Sequence, residues 1–140
     1  MANNDERRWM QRFENLERAN LQLTRACDLE ELSELELTGL IKSFEITFEL
    51  AWKTLKDLLY YEGFEVGSPR AAIRKAFEAG ILADSRLWLE ALESRNLMSH
   101  TYDAAKAKEA ERLIKDVYAP MLDGLVNVLH ERKGQSRNGD

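Results

Sequence analysis

Apolar residues recur along this chain at helical rather than alternating spacing. Trp9, Phe13, Leu16, Asn20 and Leu23 share one stripe while Glu14, Glu17, Arg18 and Arg25 fall on other faces, which predicts an amphipathic first helix ending near Cys27. Ser33 and Glu36 have the spacing of a capping box. From there Leu37, Leu40, Ile41, Phe44, Phe48, Trp52, Leu55 and Leu59 run to a stop at Glu62-Gly63. About thirty residues at ~1.5 Å rise make this helix roughly 45 Å long. Ile46, Leu50, Ala51 and Leu58 add further apolar faces, so the second helix is expected to be the spine of a bundle, covered on several sides. Gly39 interrupts it at a cost of up to ~1 kcal/mol relative to alanine, for which close helix packing or a late helix start would account.

Ser68-Pro69 opens a short third helix, with serine as cap and proline at the first position, and Gly80 closes it. Asp84 or Ser85 caps a fourth, with Leu87, Trp88, Ala91 and Leu92 inward. Asp103 caps a last helix carrying Ala107, Ala110, Leu113, Ile114, Val117, Met121, Leu125 and Val128, in which Pro120 predicts a kink. Residues 133–140 contain no apolar side chain and read as a disordered tail, which leaves 1–132 as a single helical domain. The predicted fold is all-α, an up-and-down bundle of about five helices.

Composition narrows the function. Two prolines and seven glycines among 140 residues fit helices rather than a turn-rich β fold. The net charge of −5 argues against a broad electrostatic grip on nucleic acid, although Arg70, Arg74, Lys75, Arg86, Arg95, Lys106, Lys108, Arg112 and Lys115 are enough for a local basic cleft. Cys27 is the single cysteine, which excludes an internal disulfide and a thiolate metal site and fits a reducing cytoplasm. There is neither a signal-like apolar stretch near the start nor a run of ~18 apolar residues, so no membrane role is expected. Phosphate-binding glycine loops and closely paired aspartates for Mg²⁺ are missing, so the chain is not itself expected to transfer nucleotides. No metal or cofactor is assigned.

The segment Arg95-Asn96-Leu97-Met98-Ser99-His100-Thr101-Tyr102 stands out chemically. A histidine titrating near neutrality can move the proton of a ribose 2′-OH, and an arginine can stabilise a pentacoordinate phosphate without metal. On one regular helix Arg95 and Tyr102 would share a face but Arg95 and His100 would stand roughly 140° apart. His100 therefore joins them only if the helix ends near Ser99 or if a second subunit completes the site. Two copies would supply both acid and base, a reason to expect a symmetric homodimer. Phe44, Phe48 and Trp52 read as core or interface, Glu45, Glu49, Lys53 and Asp57 as a solvated ion-paired face, and His130 as solvated. Arg70 and Arg74, in the first turns of a helix where cations are disfavoured, suggest an anion or acidic partner nearby.

Three blocks, residues 40–57, Ser68-Pro69-Arg70 and 95–103, together resemble the HEPN superfamily, and most closely its branch of nucleotidyltransferase substrate-binding proteins, related to the HepT toxins. The resemblance implies a helical homodimer partnered by a separate minimal nucleotidyltransferase encoded nearby. It also implies that Arg95 and His100 belong to a metal-independent ribonuclease site, supported by Asn96, Ser99 and Asp103, and that Tyr102 is the residue to which the partner transfers AMP to silence a toxin. The other reading it leaves open is a non-catalytic subunit that binds nucleotide or substrate for that enzyme.

Overall fold

The computed structural model describes residues 3–98 and 103–138, and every regular element among them is helical. Helix α1 (Asn4–Cys27) is capped by Asn3, whose side chain accepts from Glu6 N at 2.7 Å. It buries Trp9, Phe13, Leu16, Asn20 and Leu23, the stripe read from the sequence. Helix α2 (Glu34–Tyr61) opens with the complete capping box: Ser33 Oγ accepts from Glu36 N, and Glu36 Oε1 from Ser33 N. Helix α3 (Pro69–Glu78) is capped by Ser68, and helix α4 (Ser85–Met98) by the Asp84 carboxylate, which accepts from Leu87 N at 3.1 Å. Gly63 and Gly80, at φ +97° and +78°, end α2 and α3 in the left-handed conformation that glycine adopts without strain.

Helix α2 is the spine. It packs against α1, α3, α4 and the last helix, while α1 also lies along the last helix and α3 against α4. Helices α1 and α2 run antiparallel, because the start of α1 meets the end of α2: Tyr61 Oη donates to Glu6 at 3.0 Å, and Arg12 pairs with Asp57 at 3.0 Å. Phe44, Phe48, Leu55, Leu58 and Leu59 are almost fully buried. At roughly 1.5–3 kcal/mol for each large apolar side chain removed from water, this spine supplies much of the drive for folding.

The last helix runs from Asp103, whose carboxylate accepts from Ala105 N at 2.7 Å, as α5 (Ala104–Leu113), a π-helical segment (Ile114–Tyr118) and α6 (Ala119–Asn138). The sequence predicts a kink at Pro120. The irregularity instead precedes it: Pro120 has no N–H for the carbonyl four residues back, and the chain widens just ahead of it, with Ala119 N–H bonding to Ile114 O. Helix α6 also continues past residue 132, where the predicted domain ends, and into the predicted disordered tail as far as Asn138. Its last described turns are anchored by Arg132 on Glu62 at 3.0 Å and Lys133 on Glu14 at 3.3 Å, charged contacts that hydropathy does not reveal.

Gly39 lies inside α2, five residues past its start, and a Cβ placed on it would meet nothing within 4 Å. Neither close packing nor a late helix start accounts for it. Gly39→Ala is accordingly expected to stabilise the fold by about 0.5–1 kcal/mol through helix propensity, read as a higher urea midpoint at unchanged slope.

Candidate functional site

Arg95 occupies the last turn of α4, where a cation interacts favourably with the negative end of the helix dipole. Its Nη2 donates to Glu49 Oε2 on α2 at 2.5 Å and its Nη1 to Asn96 Oδ1 at 3.2 Å. Glu49 gathers two further donors from its own helix, Trp52 Nε1 on Oε2 at 3.0 Å and Lys53 Nζ on Oε1 at 3.2 Å. Partial burial pushes the Glu49 carboxyl upward, but the hydrogen bonds from Trp52 and Lys53 and the charge of Arg95 together hold it below the usual glutamate range. A carboxylate at the centre of three donors is the result. Both partners keep access to solvent, with Arg95 at 27% and Glu49 at 33% side-chain exposure.

This arrangement corrects the expectation of a solvated charged face on α2. Lys53–Glu49 and Lys42–Glu45 are intrahelical pairs as expected. Glu49, however, also reaches another helix, and Asp57 is buried at 6% exposure against Arg12 of α1. Trp52 is half-buried and uses its indole N–H on Glu49. His130 is exposed as expected, with Nδ1 3.4 Å from Glu17.

Around Arg95 the scaffold is fixed by aromatic packing. Ser94 Oγ and Tyr118 Oη lie 2.6 Å apart, tying α4 to the π-helical segment, and Tyr118 stacks on Phe44 of α2 with centroids 5.4 Å apart. Next to Glu49 on α2, Phe48 meets Trp88 of α4 at 5.7 Å. A shallow groove of about 190 Å³ adjoins, lined by Ser94, Leu97, Met98, Lys106, Glu109, Ala110 and Leu113, with Leu97 at 73% exposure.

Of the residues singled out from the sequence, Arg95 and Asn96 are in contact and Asp103 caps α5. Ser99, His100 and Tyr102 lie outside the described residues. Arg70 and Arg74 line a larger groove of about 410 Å³ at the start of α3, with Lys75, which pairs with Glu78 and sits over the Phe64 ring. Among the described residues no group of three or more histidine, cysteine, aspartate or glutamate side chains is placed to hold a metal ion, and no helix is long and apolar enough to cross a membrane. Glu49 was read as part of a solvated face and not as a partner of Arg95. Its helix was legible, but nothing in a sequence says that it meets an arginine 46 positions away.

The profile of the family described as nucleotidyltransferase substrate binding protein like matches residues 11–131. The chain belongs to this family. It is 31% identical over 85 residues to a Haemophilus influenzae protein named probable ribonuclease HepT, a match covering 57% of the chain and 58% of that relative's length. Among solved structures, a Thermus thermophilus protein superimposes with a TM-score of 0.74 at 36% identity, over 80% of this chain and 96% of that one. A Haemophilus influenzae protein, described as revealing the fold of a substrate binding domain of a nucleotidyltransferase, matches with a TM-score of 0.64 at 24% identity, over 87% and 96%, and shares the fold.

Within this family member, Glu49 makes a pH-dependent link between α2 and α4. Its folded-state affinity for the proton is lowered, so its contribution is fully present above the ordinary glutamate range and is lost as pH falls below it through the depressed folded value. Urea midpoints of wild type and Glu49→Gln should therefore differ at neutral pH and converge as pH drops below about 4. A constant difference across that window would show that the carboxylate charge contributes nothing.

Proposed function

We propose that this chain is the helical partner of a separate minimal nucleotidyltransferase, that it works as a homodimer in the cytoplasm, and that Arg95 and His100 form a metal-independent ribonuclease site regulated by AMP transfer to Tyr102. The observation that carries the reading is the setting of Arg95: it lies in the last described turn of α4, part-exposed, with its guanidinium held between Glu49 and Asn96, and it precedes His100 by five residues. The family membership and the name of the Haemophilus relative support the same reading.

In the proposed reaction a ribose 2′-oxygen attacks the adjacent phosphorus. The 2′-O–P bond forms, the P–O5′ bond breaks, and a cyclic phosphate and a 5′-hydroxyl result. One His100 accepts the 2′-OH proton and the protonated His100 of the second copy delivers one to the leaving oxygen, while Arg95 bears the negative charge on the phosphoryl oxygens. Asn96, Ser99 and Asp103 support the segment. In the proposed regulation the Tyr102 oxygen attacks the α-phosphorus of ATP held by the partner, pyrophosphate leaves, and the tyrosine proton passes to solvent. The attached phosphate then competes for Arg95.

A second reading has its own observation. The guanidinium of Arg95 is already engaged by a carboxylate, which suits a tether between α2 and α4 in a non-catalytic subunit that binds nucleotide or substrate for the nucleotidyltransferase.

Light scattering should report about twice the chain mass of 16.2 kDa; a strict monomer at micromolar concentration removes the shared-site mechanism. Purified protein in EDTA should cut single-stranded RNA, and Arg95→Ala or His100→Ala should reduce cutting by at least about a hundredfold with helicity intact. Wild type that does not cut decides for the binding subunit. With the neighbouring nucleotidyltransferase, ATP and Mg²⁺, one AMP should map to Tyr102 and be absent from Tyr102→Phe. Modification at Tyr60, Tyr61 or Tyr118 instead would remove Tyr102 from the regulation.

A further inference from the structure

A guanidinium carries five N–H donors in a rigid planar fork. Glu49 and Asn96 each accept from one terminal nitrogen of Arg95, at 2.5 and 3.2 Å. Two contacts at two different nitrogens fix the plane of the group and leave donors over for a ligand. Glu49 is in turn immobilised: Trp52 and Lys53, three and four residues on in the same helix, hold one carboxylate oxygen each. The order of dependence runs from the backbone of α2, through Trp52 and Lys53 to Glu49, and from Glu49 across to Arg95.

The same contacts set the local charge. Arg95 and Lys53 contribute two positive charges and Glu49 one negative, so this cluster carries a net of +1. Without Glu49 it would carry +2 and bind a phosphodiester monoanion more tightly before any reaction. Tight ground-state binding does not accelerate chemistry; an interaction that strengthens as charge grows on the phosphoryl oxygens does.

We propose that Glu49 is the positioning residue of an RNA-phosphate site on Arg95, aiming the guanidinium at the phosphoryl oxygens and moderating the local charge so that the phosphodiester is held weakly until the reaction develops negative charge. The chemistry rests on the ribonuclease reading above. A plain tether between α2 and α4 would behave differently, because its loss would change the folded fraction and leave the balance between binding and turnover untouched.

Three measurements on the full chain test this. The first is Kd for a short 2′-O-methyl oligoribonucleotide, which lacks the attacking hydroxyl. Loss of one unit charge at hydrogen-bonding distance should tighten binding about three- to tenfold in Glu49→Gln, with Glu49→Asp, which keeps the charge, close to wild type. The second is turnover of the matching cleavable RNA. Both variants should lose about ten- to a hundredfold in kcat, since neither holds the fork where a full-length carboxylate does. The third is the Arg95 Nε–Hε resonance, which should be sharp in wild type, shift on adding the 2′-O-methyl oligonucleotide, and broaden in both variants. Binding that is unchanged or weaker in folded Glu49→Gln, or kcat at the wild-type level in both variants, overturns the proposal. If wild type cuts no RNA, the ribonuclease reading fails by itself. The binding and resonance measurements then decide Glu49 alone: tighter binding with a broadened Arg95 signal retains it as the organiser of an anion site, and no change in either removes it.

Discussion

The contacts that order this molecule are two ring pairs on α2: Phe44 stacked on Tyr118 at 5.4 Å, and Phe48 against Trp88 at 5.7 Å. Phe44 and Phe48 are one turn apart on a single stripe, themselves in contact at 6.0 Å, and wholly buried. Through them one helix fixes two others. Trp88 sets how α4 lies on α2, and Tyr118 sets where the last helix meets both. Aromatic pairs add about 0.5–1.5 kcal/mol each beyond the area they bury and, unlike aliphatic contacts, prefer particular relative orientations. The Arg95–Glu49 pair lies one residue beyond Phe48 on α2 and seven beyond Trp88 on α4, so its geometry is inherited from that packing.

The π-helical segment has a part in the same arrangement. Pro120 removes one donor from the ladder, and widening the helix over Ile114–Tyr118 takes up the mismatch before the proline rather than at it. Ile114 and Tyr118 are buried, Tyr118 with its ring on Phe44 and its hydroxyl at Ser94 Oγ. A backbone irregularity in the last helix is thereby coupled to the turn of α4 that carries Arg95. This gives the wide turn a structural reason independent of any role in chemistry.

The extent to which the sequence disclosed all this depends on the range of each interaction. Caps and stripes are local, so Ser33 with Glu36, Ser68 with Pro69, Asp103 and the buried set from Trp9 to Leu23 were legible from spacing alone. Of the candidate site, the motif singled out Arg95 and Asn96, which the structure places in contact. Arg95 could be picked out from its motif, but its carboxylate partner lies on another helix, and a glutamate flanked by Trp52 and Lys53 reads as an ordinary surface position. Asp57 was misread for the same reason: its burial follows from Arg12, 45 residues earlier. Near the end of α6, Arg132 and Lys133, polar by composition, are held by Glu62 just past α2 and by Glu14 of α1, contacts that spacing does not show. Hydropathy measures what a side chain avoids; it carries no information about which charge it will find.

An acidic chain and an anion-binding reading are compatible once distances are considered. The net charge of −5 belongs to the whole molecule, and charges further than about 8 Å away are largely screened at physiological salt. Under the proposed reading, a phosphate at Arg95 would meet the charges within that radius, which include Arg95 and Lys53 with the Glu49 carboxylate between them. The global charge would then act on encounter, giving little long-range attraction for RNA, while the local cluster would act on the bound phosphate. A protein built this way would not coat nucleic acid. It would engage a phosphate that reaches Arg95 in the last described turn of α4, so selectivity would have to come from the shape of the ligand that fits there rather than from a field that draws in every polyanion.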